Sequence, residues 1–390
     1  MNAYVAPLVR STAVPAQSCI ETFVKAQDFE HPTLVMDRSL VVAQFQALRQ
    51  GLAGADIHYA VKANPAPEII AALVAQGAHF DAASRGEIEL CLAQGARPDQ
   101  ISFGNTIKRV RDIAFAHGRG VTLFAADASE EIEKIAQHAP GAEVYLRVLV
   151  GETGADWPLS RKFGADGAMI PALARQAAEL GLRPVGLSFH VGSQTRDPKM
   201  WIETLDHMDR VWQQLRGLGF GVDLINIGGG FPAFHGEEIL PAQIYAAQVM
   251  DMVKARFHGA RRVIAEPGRG MVAHAGMISA EVVLVSRKSE DDPLRWVYLD
   301  IGKFSGLAET MDEAIRYQFV TEKDHQAHEP CVLAGPSCDS ADVLYEKHPV
   351  PLPVGLCAGD RVLIRNCGAY TSSYASVGFN GFPPLDVIVL

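Results

Sequence analysis

The feature that most constrains this chain is an alternation of short strand-like runs with helical runs through its first two thirds. The predicted strands cover residues 57–62, 79–82, 101–104, 121–125, 143–150, 185–191, 223–227 and 262–266. Helical spacing predicts helices between them, for example at 66–76, 85–94, 129–138, 170–180 and 200–218. Eight strands, each followed by a helix or loop, is the count of an α/β fold of the (β/α)8 TIM-barrel type. A doubly wound open sheet shows the same alternation, so both architectures stay open here.

The pattern changes after about residue 270. Strand-like runs at 276–286, 296–299, 331–333, 361–364 and 387–390 predict a mostly β second domain, with one helix near 307–317. We therefore predict a barrel over residues 31–268, and a β-sheet domain formed by residues 1–30 together with 269–390.

Composition narrows the class of protein. The 390 residues carry a formal net charge of −10, which argues against nucleic-acid binding and suits a cationic substrate. Six cysteines at irregular spacings form no zinc pattern and no disulfide scaffold, so we predict no metal and reduced thiols in a cytoplasmic protein. We expect no membrane span and no secretory leader, because no apolar run approaches roughly 20 residues.

Polar residues stand at the ends of the predicted strands, where a TIM barrel carries its chemistry. A lysine that closes an apolar strand is unusual, because burying an ammonium group is costly. Desolvation lowers the pKa of a lysine and makes its amine able to form an imine. A lysine that reaches solvent at the strand end is the competing interpretation for Lys62. The strand-end residues are Lys62, Asp81, Asn105, Arg147, His190, 228–230 and Glu266.

Three glycine-containing turns follow predicted strands, at 190–193, 228–232 and 266–270. Such turns expose backbone N–H groups, and Arg269 adds a guanidinium that suits a phosphate. Each turn alone is an ordinary tight turn, but three at the strand ends of one barrel predict an anion site. Glu266 is placed to hold a proton on a heteroaromatic nitrogen; an ion pair with Arg269 or Arg147 is the alternative.

Two later turns and one loop are further candidates. Cys338 and Asp339 pair a thiol with a carboxylate in a turn, where capping by Asp and Ser is the simpler explanation. Tyr370 suits either the core or a phosphate site. The long segment 151–167 predicts a lid at the barrel mouth, or an ordinary surface loop.

Taken together and in order, these motifs resemble the fold-type III, alanine-racemase-like enzymes that use pyridoxal 5′-phosphate (PLP). The branch they resemble most is the ornithine/lysine/diaminopimelate/arginine decarboxylases, and within it the bacterial ornithine/lysine decarboxylases. Any one stretch is weakly informative, but the ordered set spans almost the whole chain. The matching stretches are 59–64, 80–87, 188–194, 228–232, 266–269, 335–339 and 368–371.

The resemblance implies a homodimer with active sites at the subunit interface, and it implies a role for each matching residue. Lys62 carries PLP as a Schiff base, His190 stacks on the pyridine ring, and Glu266 pairs with the ring nitrogen. Cys338, the proton donor, and Asp339 reach in from the partner subunit. Asp81 and Arg147 position Lys62 and the ring. The phosphate is held by Ser193, Gly229, Gly230, Gly268, Arg269 and Tyr370.

The implied reaction is decarboxylation of a basic amino acid. Asp339 would pair with a terminal ammonium, which favours ornithine, and also lysine, giving putrescine or cadaverine plus CO2 in polyamine biosynthesis. The segment 298–304 lacks the Asn-Asp-Gly run of eukaryotic ornithine decarboxylases. The second acidic partner of the substrate amine is then Asp300, Glu309 or a water, and Phe379 is the expected packing aromatic.

Other functions remain open at this point. Diaminopimelate and carboxynorspermidine decarboxylases share the motifs, although the diaminopimelate branch typically has Glu at the position of Asp339. A racemase would usually place Arg at the ring nitrogen, where this chain has Glu266. A non-catalytic regulator, like antizyme inhibitor, would have lost cofactor residues that this chain retains.

Overall fold

The computed structural model describes residues 19–151, 154–156 and 162–390 of the chain. The strands outside the barrel are β1 (Thr33–Met36), β10 (Gly276–Ser286), β11 (Arg295–Leu299), β12 (Gln318–Thr321), β13 (His328–Ala334), β14 (Val343–Pro353), β15 (Arg361–Arg365) and β16 (Asp386–Val389). The barrel strands are β2 (Asp56–Ala60), β3 (His79–Ala82), β4 (Ile101–Phe103), β5 (Leu123–Ala126), β6 (Glu143–Arg147), β7 (Arg183–Ser188), β8 (Leu224–Asn226) and β9 (Arg262–Ala265).

The α-helices lie mostly around the barrel. They are α1 (Cys19–Lys25), α2 (Arg38–Gly51), α3 (Pro67–Ala75), α4 (Arg85–Ala93), α5 (Val110–Gly118), α6 (Ser129–His138), α7 (Ile170–Glu179), α8 (Ile202–Gly217), α9 (Ala242–Arg256) and α10 (Arg269–Val272).

The eight strands β2 to β9 pair in chain order, all parallel, and form a closed barrel. Closure is made by β9 on β2, with Asp56 opposite Ile264 and Ile57 opposite Ala265. The barrel prediction is confirmed, and the open-sheet alternative is wrong because an open sheet has no such pairing.

Helical periodicity explains how the outer layer packs. In α8 the buried side chains Met208, Val211, Trp212 and Leu215 recur at intervals of three and four, so they form one face against the barrel. The helix α2 adds to the predicted elements. Its N-terminus is capped by Asp37, whose carboxylate accepts the Ser39 N–H at 2.8 Å.

Several predicted strands are longer than the observed ones. The first barrel strand ends at Ala60, so Lys62 lies in a 3-10 turn (Val61–Ala63) after the strand instead of closing it. The predicted strands at 143–150 and 185–191 end at Arg147 and Ser188. Their apolar runs continue past the strand because Val148 and Val191 are buried in the loops that cover the barrel mouth.

The second domain is a mostly β sheet, as predicted. Its strand order is β12-β15-β10-β11-β13-β14, and β1 pairs with both β10 and β16. The predicted helix near 307–317 is instead a 3-10 segment (Ala308–Glu313) with a kink at Asp312, whose φ is +53°. The domain division at residue 31 stays a prediction, but β1 lies on its barrel side and pairs with β10 of the second sheet.

Among the residues described, no helix is both long and apolar enough to cross a membrane. The same part of the chain has no group of three or more His, Cys, Asp or Glu placed to hold a metal ion.

Candidate active site

Lys62 and Asp81 form an ion pair at the carboxyl end of the barrel. The Lys62 Nζ lies 3.4 Å from Asp81 Oδ2, because the neighbouring strands β2 and β3 place Ala60 opposite Asp81. The Lys62 side chain is half exposed at the barrel mouth, whereas Asp81 is buried. The other oxygen of Asp81, Oδ1, is buried and has no hydrogen-bond partner among the described residues.

The charge on Lys62 differs from the sequence prediction. Desolvation lowers the pKa of Lys62, as expected, but the carboxylates of Asp81 and Glu266 and the hydroxyl of Tyr370 outweigh it. The pKa therefore lies above the usual range, and the prediction of a lowered pKa is wrong for the free amine. The Asp81 carboxylate therefore favours the protonated form of the free Lys62 amine.

Glu266 follows β9 and is held by Asn226 of β8. The Asn226 side-chain N–H donates to Glu266 Oε1 at 2.5 Å, and its carbonyl accepts the Gly228 N–H at 2.9 Å. Burial, and then the Asp81 carboxylate, raise the pKa of Glu266 from 4.5 to about 7, although the Asn226 hydrogen bond lowers it. Near neutral pH this carboxyl is therefore poised to share a proton. Among the described residues Glu266 forms no ion pair with Arg269 or Arg147, and Arg269 pairs with Glu309 instead.

His190 presents a neutral ring beside Gly229. Its Nδ1 accepts the Gly192 N–H at 2.9 Å, which leaves the ring proton on Nε2. Burial, and then the cations Arg147 and Lys62, lower the pKa of His190 well below its usual range. The Arg147 guanidinium lies 5.2 Å from the centre of the Phe163 ring.

The glycine turns pack too closely against their neighbours to accept a side chain. A Cβ added at Gly229 would lie 2.8 Å from the Glu266 carbonyl oxygen and 2.9 Å from His190 Nε2. At Gly268 it would lie 2.9 Å from the Tyr370 hydroxyl. Gly230 has a φ of +103°, which L side chains rarely adopt. Only glycine fits at these positions, and the turns that carry them form the cradle.

Arg269 lies beside this cradle and contacts two other predicted phosphate ligands, Ser193 and Tyr370. Its Nε donates to Ser193 Oγ at 3.2 Å, and its guanidinium lies 5.2 Å from the centre of the Tyr370 ring. Its two terminal nitrogens donate to the Glu309 carboxylate at 2.7 and 2.6 Å. Glu309, considered above as a reader of the substrate amine, is thus bound to Arg269 instead.

The predicted substrate-side residues lie in the second domain. Cys338 is exposed, and its N–H and thiol donate to Asn380 Oδ1 at 3.3 and 3.5 Å. Asp339 accepts the Ala341 N–H at 2.9 Å. Phe379 is 38% exposed and packs on Phe304, with ring centres 4.8 Å apart. Within one chain, the described contacts do not join these residues to Lys62.

Asp300 also remains separate from the Lys62 group. It follows β11, and its carboxylate accepts the Glu281 N–H from the neighbouring strand at 2.8 Å. Burial raises the pKa of Asp300 to about 6. Its role as a substrate ligand stays a prediction.

The sequence did not identify two residues of the site, Asn226 and Glu87. Asn226 is a fully buried polar residue ending a strand, and that position was its only signal. Glu87 accepts the Ala83 N–H at 2.6 Å, and burial raises its pKa. Its signal was a glutamate three residues after the helix-capping Ser84. Of the predicted lid, residues 152–153 and 157–161 lie outside the described residues.

Comparison with protein families identifies this barrel. Residues 38–273 match the family model described as pyridoxal-dependent decarboxylase, pyridoxal binding domain. The chain belongs to the pyridoxal-dependent decarboxylases. The predicted enzyme class and cofactor are thereby confirmed.

Relatives in this decarboxylase family match along most of the chain. Ornithine decarboxylase from Schizosaccharomyces pombe is 32% identical over 345 residues, covering 85% of this chain and 77% of its own. Lysine/ornithine decarboxylase from Selenomonas ruminantium is 33% identical over 355 residues, covering 90% and 87%. The resemblance to ornithine/lysine decarboxylases is therefore confirmed.

Solved decarboxylase structures share the two-domain fold. Lysine/ornithine decarboxylase from Vibrio vulnificus, complexed with putrescine, superposes with a TM-score of 0.85 at 32% identity, covering 96% of this chain and 99% of that one. Arginine decarboxylase from Paramecium bursaria Chlorella virus, bound to agmatine, gives a TM-score of 0.86 at 27% identity and covers 96% and 100%.

The site of this decarboxylase fits the family's cofactor. Lys62 supplies an amine for imine formation, and the cradle carries glycines, whose bare backbone lets a phosphate approach closely. Arg269 donates to Ser193, so a guanidinium and a hydroxyl that can both donate to a phosphate lie side by side. The Asp81 Oδ1 and the Tyr145 hydroxyl are buried polar atoms beside Gly104, without a hydrogen-bond partner among the described residues.

Proposed function

We propose that this chain decarboxylates ornithine, and lysine as a second substrate, with PLP attached to Lys62. The observation that carries the proposal is the convergence, at one end of the barrel, of an amine, a carboxyl with a pKa of about 7 and an anion cradle. Each supports one part of the cofactor: the aldehyde, the ring nitrogen and the phosphate.

Each residue has a distinct task. When bound, PLP withdraws electrons from the substrate Cα and so stabilises the charge that loss of CO2 leaves there. Glu266 holds a proton at the ring nitrogen, and Asn226 orients that carboxyl. His190 presents its uncharged face to the ring, and Asp81 with Arg147 positions Lys62 and the ring. Ser193, Gly229, Gly230, Gly268, Arg269 and Tyr370 hold the phosphate.

Attachment at Lys62 has a direct test. Borohydride reduction of the PLP-loaded protein should fix the cofactor on the peptide that contains Lys62, and Lys62→Ala should remove both the visible absorbance and the label. A label on a different lysine would contradict the assignment. Wild-type protein that binds no PLP would instead favour the antizyme-inhibitor-like regulator.

The proton donor at Cα is proposed to be Cys338, acting from the partner subunit of a homodimer. Its exposure in one chain, with Asp339 beside it, supports a role at an interface. Mixing the inactive variants Lys62→Ala and Cys338→Ala should restore part of the activity, since a mixed dimer contains one intact site. No restoration, or a Cys338→Ala enzyme with unchanged rate and products, would rule this out.

The substrate is proposed from Asp339 and from the relatives. A carboxylate in that turn pairs with the terminal ammonium of ornithine or lysine, and the Vibrio vulnificus relative was crystallised with putrescine and with cadaverine. The same chemistry would place the enzyme in polyamine biosynthesis in the cytoplasm.

A product assay tests the substrate. The purified enzyme is offered ornithine, lysine, arginine and meso-diaminopimelate in turn, and the amine and CO2 are measured. We expect putrescine first and cadaverine second. Release of CO2 from diaminopimelate alone would favour diaminopimelate decarboxylase.

The role of Asp339 has its own test. The substitution Asp339→Asn should raise the KM for ornithine more than it lowers kcat.

A further inference from the structure

A buried ion pair joins the helix α10 to the 3-10 segment Ala308–Glu313 beside the anion cradle. Arg269 begins α10 directly after the barrel, whereas Glu309 lies in the 3-10 segment of the second domain. Their side chains are only 2% and 6% exposed, and both carboxylate oxygens accept from the guanidinium. Two parallel charge-assisted hydrogen bonds fix the plane of the guanidinium as well as its position.

This pairing decides which edge of Arg269 remains available. A guanidinium has five N–H donors in a fixed fork. The Glu309 carboxylate occupies one edge, through the two terminal nitrogens, and leaves the Nε edge toward Ser193 Oγ at 3.2 Å. That hydroxyl belongs to one of the turns that form the cradle.

Other buried groups surround the Arg269 guanidinium. The Tyr370 ring covers the guanidinium at 5.2 Å. The ring nitrogens of His235 and the hydroxyl of Tyr317 are also buried, and neither has a hydrogen-bond partner among the described residues. Both groups can accept a hydrogen bond and both interact electrostatically with Arg269, so a guanidinium released from Glu309 can turn toward them and lose its orientation.

We propose that Glu309 is a positioning residue that holds the Nε edge of Arg269 toward the phosphate of the cofactor. The proposal rests on the PLP site described under the proposed function. It replaces a role for Glu309 at the substrate amine with one at the opposite end of the site.

The direction in which the PLP affinity changes distinguishes a positioning role of Glu309 from a purely electrostatic one. Removing a negative charge near a phosphate dianion strengthens phosphate binding if charge alone matters. Removing the group that aims Arg269 weakens it. We expect Glu309→Gln to raise the dissociation constant of PLP about 10- to 100-fold, because the amide can accept only one of the two hydrogen bonds.

The experiment titrates cofactor-free protein with PLP and, separately, with pyridoxal, which lacks the phosphate. Glu309→Gln should weaken PLP binding and leave pyridoxal binding within about twofold, and Glu309→Asp should restore part of the PLP affinity. The matched control is Glu313→Gln, on the same segment but bound to His348 and to backbone N–H groups. It should leave both affinities unchanged.

A double-mutant cycle tests whether the effect passes through Arg269. In an Arg269→Met background, Glu309→Gln should cause no further loss of PLP affinity. Unchanged or tighter PLP binding in Glu309→Gln, equal weakening of PLP and pyridoxal, or an undiminished effect in the Arg269→Met background would overturn the proposal.

A failure of the role proposed for Glu309 can be told apart from a failure of the proposed decarboxylase function. Wild-type protein that binds PLP and forms the amine, with a Glu309→Gln variant of equal PLP affinity, would refute only the role of Glu309. If neither Glu309 variant folds, a crystal structure of the PLP-loaded wild-type enzyme decides. Arg269 bound at once to Glu309 and to the phosphate supports the proposal, and Arg269 turned away from Glu309 refutes it.

Discussion

Replacing Glu266 with Gln should remove a pH dependence from the stability of the cofactor-free protein. Folding raises the pKa of Glu266 from 4.5 to about 7, first through burial and then through Asp81. Between these two pH values the unfolded chain has lost this proton while the folded protein keeps it. The folded state then binds more protons, so stability must fall as the pH rises.

The size of the effect follows from the shift. A difference of one pKa unit is worth about 1.4 kcal/mol, so the loss accumulated between pH 4.5 and pH 7 is on the order of 3 kcal/mol. Above pH 7 this group adds no further change. Glutamine is close to isosteric and still accepts the Asn226 hydrogen bond, so Glu266→Gln removes the ionisation with little change in packing.

The assay is urea unfolding of the cofactor-free wild-type and Glu266→Gln proteins at pH values from 4.5 to 8. The difference between their free energies of unfolding should grow by about 3 kcal/mol in favour of the variant and level off above pH 7. Glu238→Gln, an exposed change, should track the wild type throughout. A difference that stays constant across this range would refute the raised pKa and, with it, the proton-sharing role of Glu266.

Three further changes probe the site and its support. Gly229→Ala should weaken PLP binding by at least about tenfold in a spectrophotometric titration, because its Cβ would meet atoms at 2.8 and 2.9 Å, whereas Gly221→Ala, with open space around it, should not. Asp81→Asn should lower the pKa of Lys62, so imine formation with pyridoxal should extend to lower pH; an unchanged pH profile would contradict this. Lys108→Met should reduce the free energy of unfolding by about 3 kcal/mol in urea, because it breaks a buried ion pair; a loss below 1 kcal/mol would show that the pair is not structural.

The barrel was predictable because its information is local. Strand and helix periodicities differ, and each element shows its own pattern within about ten residues. Strand ends were less predictable, since Val148 and Val191 continue the apolar run into loops that cover the mouth. The pattern cannot distinguish burial inside a strand from burial just beyond it.

The residues of the candidate site were likewise predictable only in part. The glycine turns and Lys62 could be predicted because backbone shape and strand-end position are encoded next to each other. The partners of the charged groups could not. Asn226 meets Glu266, and Arg269 meets Glu309, each across 40 residues of sequence. Chemical type alone left Glu309 open to several roles, and only the packing of α10 against the 3-10 segment selects Arg269.

The position of β1 has a consequence for how the protein is made. Its residues 33–36 leave the ribosome early, yet they pair with β10 and β16, which are synthesised only after the entire barrel. The second sheet therefore has a high contact order, and its formation should be slow relative to the barrel. All four residues of β1 are buried in the folded protein, so during synthesis they stay unpaired and exposed until β10 has been made. A folding defect should therefore appear first as aggregation of nascent chains whose synthesis stops before β10.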